Sequence, residues 1–116
     1  VVIVSTPQDL ALIDARKAID MLRRLKVPLL GLVENMSYFI APDTGTRYDI
    51  FGSGGAEQAA ADLDMDFLGA IPLVMSIREG SDAGTPPMAS APDGPEAQAY
   101  RAIAQRVLAQ FPAETR

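Results

Sequence analysis

Short apolar runs alternate along the chain with segments of helical periodicity. The apolar runs contain β-branched residues and no polar alternation, a pattern typical of parallel strands buried on both faces. They lie at residues 1–5, 27–33 and 67–71, and the main helical segments lie at residues 6–25, at 56–63 and from Pro95 onward. This order predicts an α/β fold of three layers, a mostly parallel sheet flanked by helices, in one domain spanning residues 1–116.

The helical segments carry clear boundary and face signals. Thr6 is predicted as the N-cap of the first helix, with Pro7 at its first position and Asp9 in its first turn. Its predicted apolar face comprises Leu12, Ala15, Ile19 and Leu22. The last helix presents a stripe of Tyr100, Ile103, Ala104, Val107, Leu108 and Phe111. Residues 76–80 are expected to form a helical turn, and residues 85–95 a connector.

Residues 36–55 form the longest stretch without clear periodicity. Loops of this length are usually functional or contain a small hairpin, and residues 47–51 are the predicted strand of such a hairpin. The glycine-rich run at residues 52–55 fits a helix start better than a phosphate loop, because the remaining positions of a Rossmann fingerprint are not met. Asp43 and Asp49 fit solvated turn residues better than a cation site.

Composition excludes several classes of function. The chain has no cysteine and no histidine, so thiolate ligands, a cysteine nucleophile and the commonest general base are missing. A net charge of -5 without a basic cluster predicts no nucleic-acid binding, and no apolar run is long enough for a membrane span. We therefore expect a cytoplasmic protein. The chain opens without Met inside an apolar run, and three strands leave an exposed apolar edge, so we expect it to be a piece of something longer.

Asn35 and Pro72 follow two predicted strands, where ligands bind in open α/β sheets. The amide of Asn35 can offer a donor and an acceptor to a base edge, or it can cap the following turn, and spacing alone favours neither. Pro72 can pack on a ring face, although on spacing alone we favour a simple strand terminator.

Several motifs in a fixed order resemble one known family. They include Val-Glu-Asn-Met-Ser-Tyr-Phe at residues 33–39 and Asp-Ile-Phe-Gly at residues 49–52. The others lie at residues 5–9, 14–17, 54–55, 67–69, 71–73 and 77–80, with Asp82. Together they resemble the Mrp/ApbC family of MinD-like P-loop ATPases, which carry iron–sulfur clusters to apo-proteins. The resemblance covers residues 1–86 and corresponds to the C-terminal half of the family's domain.

The resemblance implies a nucleotide role for a few positions. Asn35 matches the asparagine that contacts adenine, Pro72 and Leu73 match the segment packed around the base, and residues 6–8 fall near the nucleotide and a dimer partner. The full-length protein would bind ATP and Mg²⁺, form a homodimer and serve apo iron–sulfur clients. This chain lacks the Walker A loop and the catalytic acids of the family's N-terminal half. Alone it is predicted to be inactive, with no catalytic residue.

Two departures from the family pattern concern cofactor binding. The Cys-x-x-Cys pair that bridges a [4Fe-4S] cluster between two protomers corresponds here to Ala41 and Thr44, which are poor iron ligands. An acidic residue that often follows Ile-Pro-Leu is replaced by Val74. The sequence therefore predicts no metal site and makes a bridging cluster doubtful.

Two functions from different classes follow. The first is the C-terminal part of an ATP-binding iron–sulfur cluster carrier, which contributes adenine contacts and dimer surface. The second is a non-catalytic interaction module derived from the same family, which the missing cysteine pair favours. A positioning ATPase of the MinD/ParA type ranks below both.

Overall fold

The computed structural model describes residues 1–50, 52 and 54–111 of the 116-residue chain. Its strands are β1 Val2–Ser5, β2 Gly31–Glu34, β3 Phe39–Ile40, β4 Arg47–Tyr48 and β5 Phe67–Ala70. Its helices are α1 Asp9–Arg24, α2 Gly55–Asp62, α3 Met75–Ala83, α4 Pro87–Ser90 and α5 Pro95–Leu108. No helix among the described residues is long and apolar enough to cross a bilayer.

The described part of the chain forms a parallel sheet in the order β1-β2-β5. β1 and β2 pair in register from Val2 opposite Gly31 to Ser5 opposite Glu34. This arrangement confirms the predicted parallel α/β sheet. β2 is shorter than the predicted run of residues 27–33, since its regular pairing with β1 begins only at Gly31.

Helices cover both faces of the sheet, which makes the fold three-layered. On one face, Ile3 and Leu32 pack against Ile19 of α1. Three small residues of α2 complete this cluster: Ala56, Ala59 and Ala60. On the other face Val33, Leu68 and Ile71 pack against Tyr100, Ile103 and Val107 of α5. Successive residues of β2 therefore serve two separate cores, as the pleat of a strand requires.

The predicted start of α1 is wrong. Gln8, not Thr6, is the N-cap, and its backbone is extended at φ -69° and ψ 142°. The Thr6 hydroxyl donates to Oε1 of Gln8 at 3.2 Å and not to the helix backbone. Because the Thr6 hydroxyl is bonded to the Gln8 side chain and the Gln8 backbone is extended, the helix begins only at Asp9.

Two expectations of burial also need correction. β1 is not buried on both faces: Val4 is 59% exposed, because β1 lies at the sheet edge in the described structure. In the α5 stripe only Tyr100, Ile103 and Val107 pack on the core. The remaining positions Ala104, Leu108 and Phe111 are exposed, and Ala97 is buried instead.

The irregular segment contains the predicted hairpin. β3 and β4 pair antiparallel, with Phe39 opposite Tyr48 and Ile40 opposite Arg47. Part of the predicted strand at residues 47–51 and of the glycine-rich run falls on Phe51 and Ser53, which lie outside the described residues. Farther along, the helical turn expected at residues 76–80 is the longer α3, and the connector contains α4.

The core assignment predicts different costs for two isoleucines on α1. Ile19 is 1% exposed, whereas Ile13 is 48% exposed. We expect Ile19→Ala to lower the free energy of unfolding by about 2–5 kcal/mol, because it removes buried methyl groups and leaves a cavity. Ile13→Ala should change it by about 0.5 kcal/mol or less. Urea unfolding measures both, and equal losses would contradict the assignment.

Candidate functional site

The chain segments after β2 and β5 stay side by side beyond the strand ends. The Ser37 N–H donates to the Ile71 carbonyl at 2.9 Å, and the Leu73 N–H donates to the Tyr38 carbonyl at 2.6 Å. An isolated parallel bridge joins Phe39 to Leu73. These bonds extend the pairing of the two strands into their loops and place residues 35–39 next to residues 71–73.

This pairing brings the three predicted base-binding residues to one cavity. The cavity has a volume of about 140 Å³ and lies at the carboxyl ends of β2 and β5. Its lining comprises Asn35, Met36, Pro72, Leu73, Val74, Ile77 and Arg78. Most of these side chains are apolar, and Asn35 and Arg78 provide the polar groups. Apolar walls with a few polar groups are typical of sites for small organic ligands.

Of the two roles open to Asn35, the structure directly shows the capping of the following turn. Its Oδ1 accepts the N–H of Met36 at 2.9 Å, so the side chain caps the turn. Its backbone N–H donates to the Ser5 carbonyl at 2.7 Å and ties the turn to β1. Within the described residues its Nδ2 group makes no hydrogen bond. The cap thus holds the amide in place and leaves two N–H donors for a ligand with acceptor atoms.

Glu34 is a site residue that the sequence reasoning missed. It lies in the central strand, is 2% exposed and directly precedes Asn35. Its Oε1 accepts the Ser37 hydroxyl at 2.6 Å, and its Oε2 accepts the Ala56 N–H at 2.9 Å. The available signal was a carboxylate at the end of a strand predicted to be buried, because such a group needs hydrogen-bonding partners.

The glycine-rich start of α2 serves packing. Gly54 is the N-cap at φ +72°, a left-handed conformation that favours glycine. A Cβ on Gly55 would lie 3.1 Å from the Pro7 carbonyl oxygen and 3.0 Å from Cδ1 of Leu12. This close approach agrees with the predicted helix start. Pro7 contacts this region, and residues 6–8 are not among the residues that line the cavity beside Asn35.

The two positions of the expected cysteine pair share the hairpin turn. The Ala41 N–H donates to the Thr46 carbonyl at 2.9 Å, and the Gly45 N–H donates to the Ala41 carbonyl at 2.8 Å. The Thr44 hydroxyl donates to Oγ1 of Thr46 at 2.9 Å. Alanine offers no ligand atom and the threonine hydroxyl is already bonded, so these residues do not fit an iron–sulfur cluster.

Other side chains hold the hairpin and show no metal-binding geometry. The Arg47 guanidinium lies 4.1 Å from the ring centre of Tyr38, and its Nε is 3.3 Å from Oδ1 of Asp49. Asp49 is therefore an ion-pair partner of Arg47. Among the described residues no cluster of three or more histidine, cysteine or acidic side chains is arranged to bind a metal ion.

Comparison with known proteins places these features in context. The family model described as NUBPL iron-transfer P-loop NTPase matches residues 1–108. The iron-sulfur cluster carrier protein of Deinococcus radiodurans is 52% identical over 114 residues, which are 98% of this chain and 32% of that protein. The chain spans about a third of the length of the curated relatives it matches.

Solved structures show the same fold. A nucleotide-binding protein from Archaeoglobus fulgidus, in complex with ADP, is 42% identical with a TM-score of 0.62 and covers 72% of this chain and 35% of its own. The septum site-determining protein MinD from Pyrococcus horikoshii, complexed with Mg-ADP, is 25% identical with a TM-score of 0.71. That match covers 91% of this chain and 40% of the MinD chain.

Proposed function

The chain belongs to the family of NUBPL-type iron-transfer P-loop NTPases, and from this premise we propose that it is the adenine-side, C-terminal part of an iron–sulfur cluster carrier ATPase. The observation that carries the proposal is the meeting of Asn35, Pro72 and Leu73 at one cavity. An adenine ring would pack against Pro72 and Leu73, and the Nδ2 group of Asn35 would donate to N1 of the ring, which is an acceptor in adenine but carries a hydrogen in guanine. Further support comes from the related A. fulgidus protein, whose structure contains ADP.

The remaining parts of the reaction lie outside this chain. ATP phosphates, Mg²⁺ and catalysis would belong to a Walker A half of the domain, because this sequence contains no Walker A motif. We propose that the full-length protein acts as a homodimer in the cytoplasm and serves apo iron–sulfur proteins, without binding nucleic acid. The carrier name of the D. radiodurans relative supports this role.

The open edge of β1 supports the division of the domain into two parts. A groove of about 460 Å³ runs along β1 and the adjacent face of α1. No described strand pairs with β1 on this side, and Val4, which lines the groove, is exposed. An apolar edge of this kind needs a covering strand. Further strands of the P-loop domain would supply it, in agreement with the greater length of the relatives.

The alternative is an interaction module without ATPase or cluster activity. The cysteine-free turn with Ala41 and Thr44 favours this alternative. The two functions differ in nucleotide binding. A carrier ATPase requires adenine recognition through Asn35, whereas an interaction module does not.

Base selectivity tests the nucleotide proposal. In the full-length protein, we expect Asn35→Ala to reduce the preference for ATP over GTP by about tenfold, since one hydrogen bond to the base is worth roughly 1.4 kcal/mol in this context. Gln98→Ala, which truncates an exposed amide on α5, should leave the ratio unchanged. Isothermal titration with both nucleotides measures it. Absence of any selectivity in the unmodified protein would favour the interaction module.

Reconstitution tests the cluster assignment. After incubation with iron and sulfide and desalting, we expect the unmodified protein to show no stable visible cluster band, because Ala41 and Thr44 offer no thiolate. The double variant Ala41→Cys with Thr44→Cys should acquire the band. A double variant with the same spacing outside the turn, Gln58→Cys with Ala61→Cys, is the control. A stable cluster in the unmodified protein would show that other ligands suffice.

The edge assignment predicts opposite effects of one substitution. Val4→Lys should reduce self-association of the isolated chain, because a charge blocks strand pairing, and should destabilise the full-length protein, where Val4 would be buried. Ile50→Lys is the matched control, since Ile50 is 58% exposed and belongs to no strand. Light scattering and thermal unfolding measure the two effects. Full tolerance of Val4→Lys in the full-length protein would refute the proposed covering strand.

A further inference from the structure

One buried carboxylate holds both ends of the hairpin segment. The hairpin of β3 and β4 lies in the segment between Ser37, which follows β2, and Ala56, the second residue of α2. The Ser37 hydroxyl donates to Oε1 of Glu34, and the Ala56 N–H donates to Oε2 of the same side chain. Ser37 and Ala56, which flank this segment of 18 residues and are called its feet below, are therefore both bonded to one side chain of the central strand.

Simple stabilisation does not account for this arrangement. Burial of a carboxylate removes its hydration, and in the described structure no salt bridge includes Glu34. The compensation comes from two hydrogen bonds and from the positive end of the α2 dipole, where a negative charge is favoured. Apolar side chains could fill a buried strand position at lower cost, so the carboxylate is better explained by what it positions.

The same turn also forms a wall of the proposed base cavity. Asn35 follows Glu34 directly, and Ser37 donates its backbone N–H to Ile71, next to Pro72. Tyr38, at the start of the hairpin, accepts the N–H of Leu73. A displacement of Ser37 would thus move both walls of the cavity, the segment that carries Asn35 and the segment that carries Pro72 and Leu73. The carboxylate, the turn and the hairpin feet form one connected set of hydrogen bonds.

From these contacts we infer that Glu34 is a positioning residue that couples the hairpin at residues 38–55 to the cavity beside Asn35. It acts through Ser37 on one side and through Ala56 on the other, and it does not itself line the cavity. The inference rests on the proposed function for its ligand, but the mechanical coupling is independent of any ligand. Nucleotide in the cavity and a partner on the hairpin would then influence one another.

Amide hydrogen exchange on the chain tests the coupling without nucleotide. Ser37→Ala removes the bond at one foot, and we expect the Ala56 amide at the other foot to exchange about fivefold faster, because the released carboxylate gains rotamers. The Leu63 N–H, which donates to the Ala59 carbonyl at the far end of α2, should keep its rate. Ser90→Ala, which removes an exposed hydroxyl bonded to the Pro86 carbonyl, is the matched control.

Base selectivity of the full-length protein supplies the second readout. Glu34→Gln and Ser37→Ala should each lower the ratio of ATP to GTP affinity about fivefold, because the turn that carries Asn35 loosens. Glu57→Gln, an exposed carboxylate in the first turn of α2, should leave the ratio unchanged. If the Glu34→Gln variant does not fold, the affinity ratio of the Ser37→Ala variant alone tests the inference.

The two readouts separate failure of this inference from failure of the proposed function. If the unmodified protein shows no base selectivity, the proposed function fails, and the exchange of the Ala56 amide still decides the coupling. An unchanged Ala56 rate in Ser37→Ala overturns the inference, whatever the nucleotide result. Equal losses of ATP and GTP affinity, with a constant ratio, also overturn it, because they indicate a purely structural role.

Discussion

The buried carboxylate of Glu34 is the constraint on which the rest of the site depends. A charged group in the central strand must find its partners within the protein, since water cannot reach it. Those partners are the Ser37 hydroxyl and the start of α2, so the turn after β2 and the position of α2 are set together. The turn that carries Asn35, one residue along, is held by this arrangement, and the bond to the Met36 N–H then orients the Asn35 amide.

Different helices cover the two faces of the sheet, and the site lies between them. α1 and α2 cover one face with small and aliphatic side chains, and α5 covers the other through Tyr100, Ile103 and Val107. The carboxyl ends of β2 and β5 lie between these layers, and the base-side cavity is located there. Ligand sites in open α/β sheets occur at such strand ends, where backbone groups and loop side chains converge. The fold therefore defines the place of the site, and the loops define its chemistry.

The sequence predicts the layers, and the order of strands and helices along the chain, better than it predicts local detail. Apolar runs identified β1, β2 and β5, and the periodicity of Leu12, Ile19 and Leu22 identified the buried side of α1. The N-cap predicted at Thr6 is wrong, because the Thr6 hydroxyl bonds to the Gln8 side chain and the extended backbone of Gln8 delays the helix to Asp9. Exposure of Val4 depends on which strand lies at the edge, which no local pattern encodes.

The candidate site also contains both residues that the sequence identifies and a residue that only the folded chain reveals. Asn35, Pro72 and Leu73 were named from their places after strands and from a family resemblance, and the structure brings them to one cavity. Glu34 was missed, because its partners Ser37 and Ala56 lie 3 and 22 residues away and only the folded chain joins them.

The two interpretations of Asn35 were also posed as alternatives, yet the oxygen that caps the turn and the nitrogen that can face a base are different atoms of one amide. A cap that uses only the acceptor orients the donor group, so the bond to Met36 prepares this side chain for a ligand and does not compete with one.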